Sequence, residues 1–340
     1  MVRLRLLLFP GFVETLKRHK ILMAAAALIP AVAAVIFLIF LIRAPVLVVT
    51  DAPFAAIYGQ SRLKREQASA SRALFRRVKP VLIADGASPD ILIIAINKSS
   101  RRPFCVLFPR RHAPAAERYH EQHPKIRSIV LGGYSPASDL PRPDGSLYVY
   151  GTDRDIDLYR AGLLADILAG LRRNTASQAP VQRIFALWQD HSASAGQSGL
   201  FSRGVRERNA ESAVIFVSST AEMPESEALS CVVLAGAGAE FLEKGQHTPI
   251  IMFSWLDPAM APQEIAVLFD DSPWGLAVPA VRMAGKKQKE GKIPSKILVI
   301  SGNIADNGIF RMLRKAAKKH PDFFSESFGS VDKELPKQYN

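Results

Sequence analysis

Leu147-Tyr-Val-Tyr-Gly-Thr-Asp-Arg-Asp-Ile-Asp-Leu-Tyr-Arg-Ala-Gly-Leu-Leu-Ala-Asp-Ile-Leu-Ala-Gly-Leu171 changes its period partway along. Its first four residues are an unbroken apolar run of strand-forming types. From Asp157 to Leu171 the apolar residues recur at helical spacing. A short buried strand feeding an amphipathic helix is half of a βαβ unit. The same alternation runs outward on both sides. Upstream lie apolar runs at Val46–Thr50, Val81–Ala84, Ile91–Ile96, Cys105–Phe108 and Ser128–Leu131, each read as a strand. Helical patterns stand between them at Ser61–Val78 and Ala113–Gln122. Downstream come strands at Ile184–Trp188, Ala213–Ser218, Cys231–Ala235, Pro249–Phe253 and Ile265–Phe269, with helices at Gly199–Arg208 and Ala237–Lys244. Fully apolar strands alternating with amphipathic helices mark parallel sheets covered on both faces. The expected fold is therefore α/β, with two doubly wound lobes split near Tyr150–Asp155.

The chain has 340 residues, enough for two medium lobes that each bury a core. Its 48% hydrophobic content excludes a wholly disordered chain. The two cysteines, Cys105 and Cys231, sit inside apolar runs and read as buried free thiols, not a disulfide framework. A net charge of +13 raises the question of nucleic acid, but its distribution answers against it. Residues 45–127 carry 15 Lys/Arg against 6 Asp/Glu, whereas residues 128–281 carry 10 against 18. No basic run is interleaved with aromatics, and neither a zinc-finger nor a basic leucine-zipper pattern occurs. A basic flank lying next to a membrane suits this polarity better.

Ile21 to Ile42 contains no charged residue and as a helix is long enough to cross a ~30 Å hydrocarbon core. Arg3, Arg5, Lys17, Arg18 and Lys20 precede it, and Arg43 alone follows closely. The positive-inside rule then places residues 1–20 in the cytoplasm and the remainder outside a bacterial inner membrane. A cleavable signal peptide would have an apolar region of ~7–15 residues followed by small residues. This run is longer, and Arg43 and Pro45 stand where small residues would be needed, so an uncleaved single-pass anchor is expected. The resulting plan assigns residues 44–151 with 271–290 to lobe 1, and 152–270 with 291–319 to lobe 2. Residues 320–340 form a polar tail.

Ligands of open parallel sheets bind beyond the carboxyl ends of the strands. In lobe 1 those ends hold Asp51, Phe54 and Tyr58, then Asp85, Asn97, Arg110 and Arg111, Tyr134 and Asp153. In lobe 2 they hold Trp188, Asp190 and His191, then Ser218, Trp255 and Asp257, with Asp270, Asp271 and Trp274 closing the set. All three tryptophans of the chain fall at such ends, with carboxylates close by. Aromatic faces joined to a few directed hydrogen bonds suit a sugar or nucleoside.

Other motifs are weaker. Gly236-Ala-Gly238-Ala-Glu-Phe241 begins like a dinucleotide fingerprint, but Phe241 is too bulky for the third glycine position. His120-Glu-Gln-His123 lacks a second histidine at i+4, where Pro124 stands. His112, His120 and His123 therefore read as a solvated helix end. Asp153 and Asp155 read as helix-capping aspartates. No catalytic constellation, cofactor motif or metal-ligand spacing emerges, and a non-enzymatic role is expected.

The ordered motifs resemble those of type I periplasmic binding proteins, the fold shared with the ligand-binding halves of bacterial repressors. Asp51-Ala-Pro-Phe54 is similar to that family's ligand loop after the first strand. Asp153 with Tyr159-Arg-Ala-Gly162-Leu-Leu-Ala165 resembles the first lobe crossing and its glycine-bearing helix. Phe201-Ser-Arg-Gly204-Val205 resembles the aromatic-glycine helix of the second lobe. Phe253-Ser-Trp-Leu-Asp257 resembles the strand end that presents an aspartate. Asp270-Asp-Ser-Pro-Trp-Gly275-Leu-Ala-Val278 resembles the helix returning to lobe 1.

The resemblance implies two lobes that hinge shut on a small polar ligand. Phe54 and Trp255 would stack on it, while Asp51 and Asp257 accept hydrogen bonds from its hydroxyls. Asp85, Tyr58, Tyr134, Asp153, Trp188, Asp190 and Asp271 would complete the site. A transporter permease or a membrane sensor is the implied partner, with no nucleic acid. A different class of function is an interaction protein with a degenerate cleft, acting on a membrane neighbour through Arg62, Lys64, Arg65, Arg76 and Arg77.

Overall fold

The computed structural model describes residues 32, 34–35, 37–132, 141–173, 183–188, 195–207, 209–217, 220–222, 231–235, 250–253 and 265–299. Its elements run β1 (Val46–Asp51), α1 (Ala52–Tyr58), α2 (Gln60–Leu74), β2 (Val78–Ile83), α3 (Pro89–Ser99), β3 (Cys105–Pro109), α4 (Ala113–Gln122), β4 (Arg127–Gly132), β5 (Leu147–Thr152) and α5 (Arg154–Arg173). There follow β6 (Arg183–Trp188), α6 (Ala195–Arg206), β7 (Ala213–Val217), β8 (Cys231–Ala235), β9 (Ile250–Phe253), β10 (Ile265–Asp270), α7 (Pro273–Gly285), β11 (Glu290–Ile293) and β12 (Lys296–Val299). Among the described residues these strands form two six-stranded sheets, ordered β11-β5-β4-β3-β1-β2 and β12-β10-β9-β8-β6-β7. The first is parallel throughout. The second is parallel except for β12, which runs antiparallel to β10 at the edge.

Residues of β1 and β3 alternate between two cores. Val46, Val48, Cys105 and Leu107 pack with Trp274, Leu276, Ala277, Ala280 and Val281 of α7 on one face. Leu47, Val49, Val106 and Phe108 pack with Leu92, Ile93 and Ile96 of α3 and with Ala116 and Tyr119 of α4 on the other. A strand buried on both faces has no polar positions, and this is why these segments read as unbroken apolar runs. The other lobe builds its core from α5, α6 and the strands of the second sheet, with Leu158, Leu164, Phe201, Val233 and Phe253 all buried.

One segment departs from the sequence expectation. Ile91–Ile96, read as a strand, lies within α3. Ser88 caps that helix by accepting from the Ile91 N–H at 3.5 Å, and a proline follows in the first turn. Leu92, Ile93 and Ile96 face the core, and Ile91 and Ile94 are exposed, an i, i+1, i+4 pattern that only a helix produces. Asn97 therefore sits on a helix and not at a strand end. Strand β2 begins earlier than expected, at Val78, and takes the sheet edge, where Pro80 suits a strand with one unpaired side. Cys105 and Cys231 are buried free thiols. The expected helix at 237–244 and the tail lie outside the described residues.

Among the described residues the chain passes between lobes three times. The first passage is Asp153, between β5 and α5. The second is residues 271–272, between β10 and α7. The third is residues 294–295, between β11 and β12. First and third are tied together: the Asp153 N–H donates to Ile293 O at 2.8 Å. The buried Asp157 carboxylate accepts from the Ser295 N–H at 3.0 Å and from its hydroxyl at 2.5 Å. The buried Arg160 guanidinium donates to Asp157 Oδ1 and to Ser295 O, both at 3.0 Å. At the second passage Ser272 caps α7, and a Cβ on Gly275 would stand 2.9 Å from Asp270 Cγ and closer still to Asp270 O. Helices α5 and α6 meet glycine to glycine. A Cβ on Gly162 would overlap Phe201 O, and one on Gly204 would overlap Tyr159 O.

The span expected at residues 21–42 lies mostly outside the described residues, among which no helix is long and apolar enough to cross a membrane. Residues 37–42 are helical, and Phe37, Leu38, Ile39, Leu41 and Ile42 are exposed on them.

Candidate functional site

In the first sheet β1 lies between β2 and β3, so the connections leaving β1 and β3 run to opposite sides. This reversal opens a crevice beyond the carboxyl ends of β1 and β3. Asp51 closes β1, and Arg110-Arg111-His112 forms a 3₁₀ turn directly after β3. The two ends meet there. The Asp51 carboxylate is 3% exposed, forms an ion pair with Arg111, and lies 2.8 Å from His112 Nε2. Burial is the largest influence on His112 and lowers its pKa. The neighbouring Arg111 charge acts the same way, and both outweigh the opposing pull of the Asp85 carboxylate. The imidazole is consequently neutral near pH 7, with Nε2–H donating to Asp51.

Because His112 resists protonation when folded, its contribution to stability is complete above the unfolded value of about 6.5 and is lost as pH falls from there through the lower folded value. Thermal melts are expected to drop by a few degrees between pH 7.5 and 5.5. The slope should flatten in His112→Asn, whose amide still donates to Asp51. An unchanged slope in that variant would assign the acid sensitivity elsewhere.

Beside this cluster the half-buried Phe54 ring stacks on Tyr58 with centroids 5.0 Å apart. Tyr58 is fixed from the other lobe: its hydroxyl donates to Asp270 Oδ2 at 2.7 Å, while the Ser272 N–H donates to Asp270 Oδ1 at 3.0 Å. Burial first, then the Asp270 charge, holds the phenol well above its ordinary pKa, so it remains a donor. Trp274 Nε1 donates to Thr50 Oγ1 at 3.1 Å, so the first turn of α7 is bound to the end of β1. Lys296 on β12 reaches Glu66 on α2 at 2.8 Å, a further tie between lobes.

Of the residues singled out from sequence, Phe54 meets Tyr58, Tyr58 meets Asp270, and Asp51 meets Arg111, with Asp85 near enough to act on His112. Asp153 caps α5 by accepting from the Ile156 N–H at 3.3 Å, and Asp271 lies half-buried in the second passage. Trp188 ends β6. Tyr134, Asp190, His191, Ser218, Trp255 and Asp257 lie outside the described residues. The reading of His112 as part of a solvated helix end is corrected, since its side chain is 11% exposed and bonded to Asp51. The signal was a polar turn immediately after an apolar strand. Its partner, 61 positions away, could be found only from the sheet order. Among the described residues no group of His, Cys, Asp and Glu forms a metal-binding cluster.

No family model and no curated protein matches the chain. Solved structures do. An ABC-transporter solute-binding protein from Conexibacter woesei aligns over 82% of this chain and 96% of its own, with 13% identity and a TM-score of 0.50. An arabinose-binding protein from Geobacillus stearothermophilus aligns over 78% and 98%, with 13% identity and a TM-score of 0.48. A transcriptional activator of the comK gene from Bacillus halodurans aligns over 82% and 97%, with 12% identity and a TM-score of 0.48. At these identities the likeness is one of fold.

Proposed function

From a type I periplasmic-binding-protein fold whose lobes are joined by three passages, we propose that this chain is a membrane-tethered, extracytoplasmic solute-binding protein or ligand sensor. It closes its lobes on a small polar ligand of the nucleoside or sugar kind and performs no catalysis. The observation that carries the reading is the cluster at the first switch point. There the Asp51 carboxylate, paired with half-exposed Arg111 and bonded to neutral His112, stands three residues before the half-buried Phe54. Aromatic surface beside convergent donors and acceptors is what a hydroxyl-bearing ring needs. Solute binding by the Conexibacter protein of the same fold supports this, as does the closing motion that three passages permit. The tether is supported by the uncharged stretch at residues 21–42 and by the exposed apolar side chains of residues 37–42. A permease or sensor in the same membrane would receive the closed form.

Thermal shift of the full chain in detergent against nucleosides, sugars, amino acids and polyamines tests the reading. A ligand at ~100 times its dissociation constant adds ~2.7 kcal/mol, a rise of several degrees. Phe54→Ala is expected to abolish the shift while the protein still melts cooperatively. No shift across the panel would favour an interaction protein with a closed, unused cleft.

A further inference from the structure

Because the first sheet is parallel throughout, the six segments that lead into its strands lie along one edge. They are residues 43–45, 75–77, 100–104, 123–126, 141–146 and 286–289. Together they carry ten Lys/Arg, among them Arg43, Arg76, Arg101, Arg102, Arg142 and Lys286, against a single acidic residue, Asp144. At the opposite edge, residues 84–88, 110–112 and 153 hold two arginines against two aspartates. The charge of this lobe is therefore gathered at one end of its strands.

The apolar helical segment of residues 37–42 leaves the lobe from that same end, and the junction is braced. Phe40 meets the Phe75 ring at 5.9 Å. Arg43 lies 5.0 Å over that ring and donates to Phe75 O at 3.5 Å. Arg76 donates to Ala44 O at 3.2 Å and lies 3.8 Å over Phe104, which Arg127 covers from 4.9 Å. A lobe held this closely to an apolar segment has no slack to tumble away from whatever that segment enters. Several of these arginines rest on aromatic rings, an arrangement that keeps the cation outermost above an apolar base.

We infer that the strand-leading edge of the first lobe lies against anionic phospholipid headgroups, docking the lobe on the bilayer with its strand carboxyl ends pointing away. The inference rests on the membrane tether proposed above. It adds an orientation: the switch-point cluster faces the extracytoplasmic space, not the lipid. The attraction falls off within a Debye length, so a tether that holds the edge at the surface strengthens it.

The experiment uses the full chain in lipid nanodiscs of phosphatidylcholine alone or with about one-third phosphatidylglycerol. An uncharged amine-reactive ester labels lysines, read by mass spectrometry. Lys125, Lys286 and Lys287 are expected to label about five-fold more slowly in the anionic discs, and about 0.5 M NaCl should abolish the difference. Lys64, at the start of α2 by the other edge, should label equally in both. The exposed triple variant Arg101→Glu/Arg102→Glu/Arg142→Glu leaves the reporter lysines in place and should lose most of the protection. Equal labelling of the edge lysines in both discs overturns the headgroup contact. Resistance to an alkaline wash of vesicles reads the tether separately. If the chain washes off yet binds anionic vesicles in a salt-sensitive way through the same lysines, the tether fails and the headgroup contact stands.

Discussion

Gly204→Ala is expected to destabilise the protein by about 3 kcal/mol, despite the ~1 kcal/mol that alanine gains over glycine in a helix. The new Cβ would overlap the Tyr159 carbonyl of α5 and stand 3.0 Å from Leu163 N. Backbone atoms inside a helix do not step aside, so α5 and α6 must separate. Separation loosens the contacts of Leu158, Phe201 and Val205 in one step. Gly162→Ala should behave alike, because its Cβ would overlap Phe201 O and stand 3.0 Å from Val205 N. The double variant should be sub-additive, since helices already pushed apart accommodate the second methyl more easily. Gly199→Ala on the same helix, with nothing within 4 Å of its Cβ, should be neutral or slightly stabilising. Denaturant melts decide the matter, and a Gly204→Ala protein as stable as wild type would refute this close helix contact.

Asp157→Ala is expected to lower stability by about 3–5 kcal/mol, because it removes the buried carboxylate to which the Arg160 guanidinium and the Ser295 hydroxyl donate. Arg160→Met should be milder, because Asp157 keeps the Ser295 N–H and hydroxyl as donors. These three residues join the first and third passages, so the loss should also appear as a smaller cooperative unit. Hydrogen exchange at Ile293 and Ser295 should rise toward that of open loops. If Arg160→Met proves the more damaging variant, the carboxylate is not the keystone of this junction.

The alternation of strands and helices and the split after Tyr150 could be read directly, since parallel strands covered on both faces write themselves as short apolar runs. Ile91–Ile96 shows where that signal fails. A helix packed along one flank and left with Ile91 and Ile94 at the surface has the composition of a buried strand, and only Ser88 and Pro89 ahead of it distinguish the two. Asp51, Phe54 and Tyr58 were found because they close a strand or follow it within two turns of helix. Their partners were not readable. His112 lies 61 positions from Asp51 and Asp270 lies 212 from Tyr58, distances that sheet order and lobe crossing close but no local pattern announces.

The three passages also govern the order in which this molecule can fold. Trp274 reaches Thr50 from 224 positions away, and the face of β1 and β3 bearing Val46, Val48 and Leu107 is roofed by α7. While a ribosome is still making the second lobe, the first therefore lacks both that roof and its edge strand β11. Its apolar face must wait, exposed, for most of synthesis, which makes the nascent first lobe a client for chaperones and a source of aggregation when elongation stalls before α7 emerges.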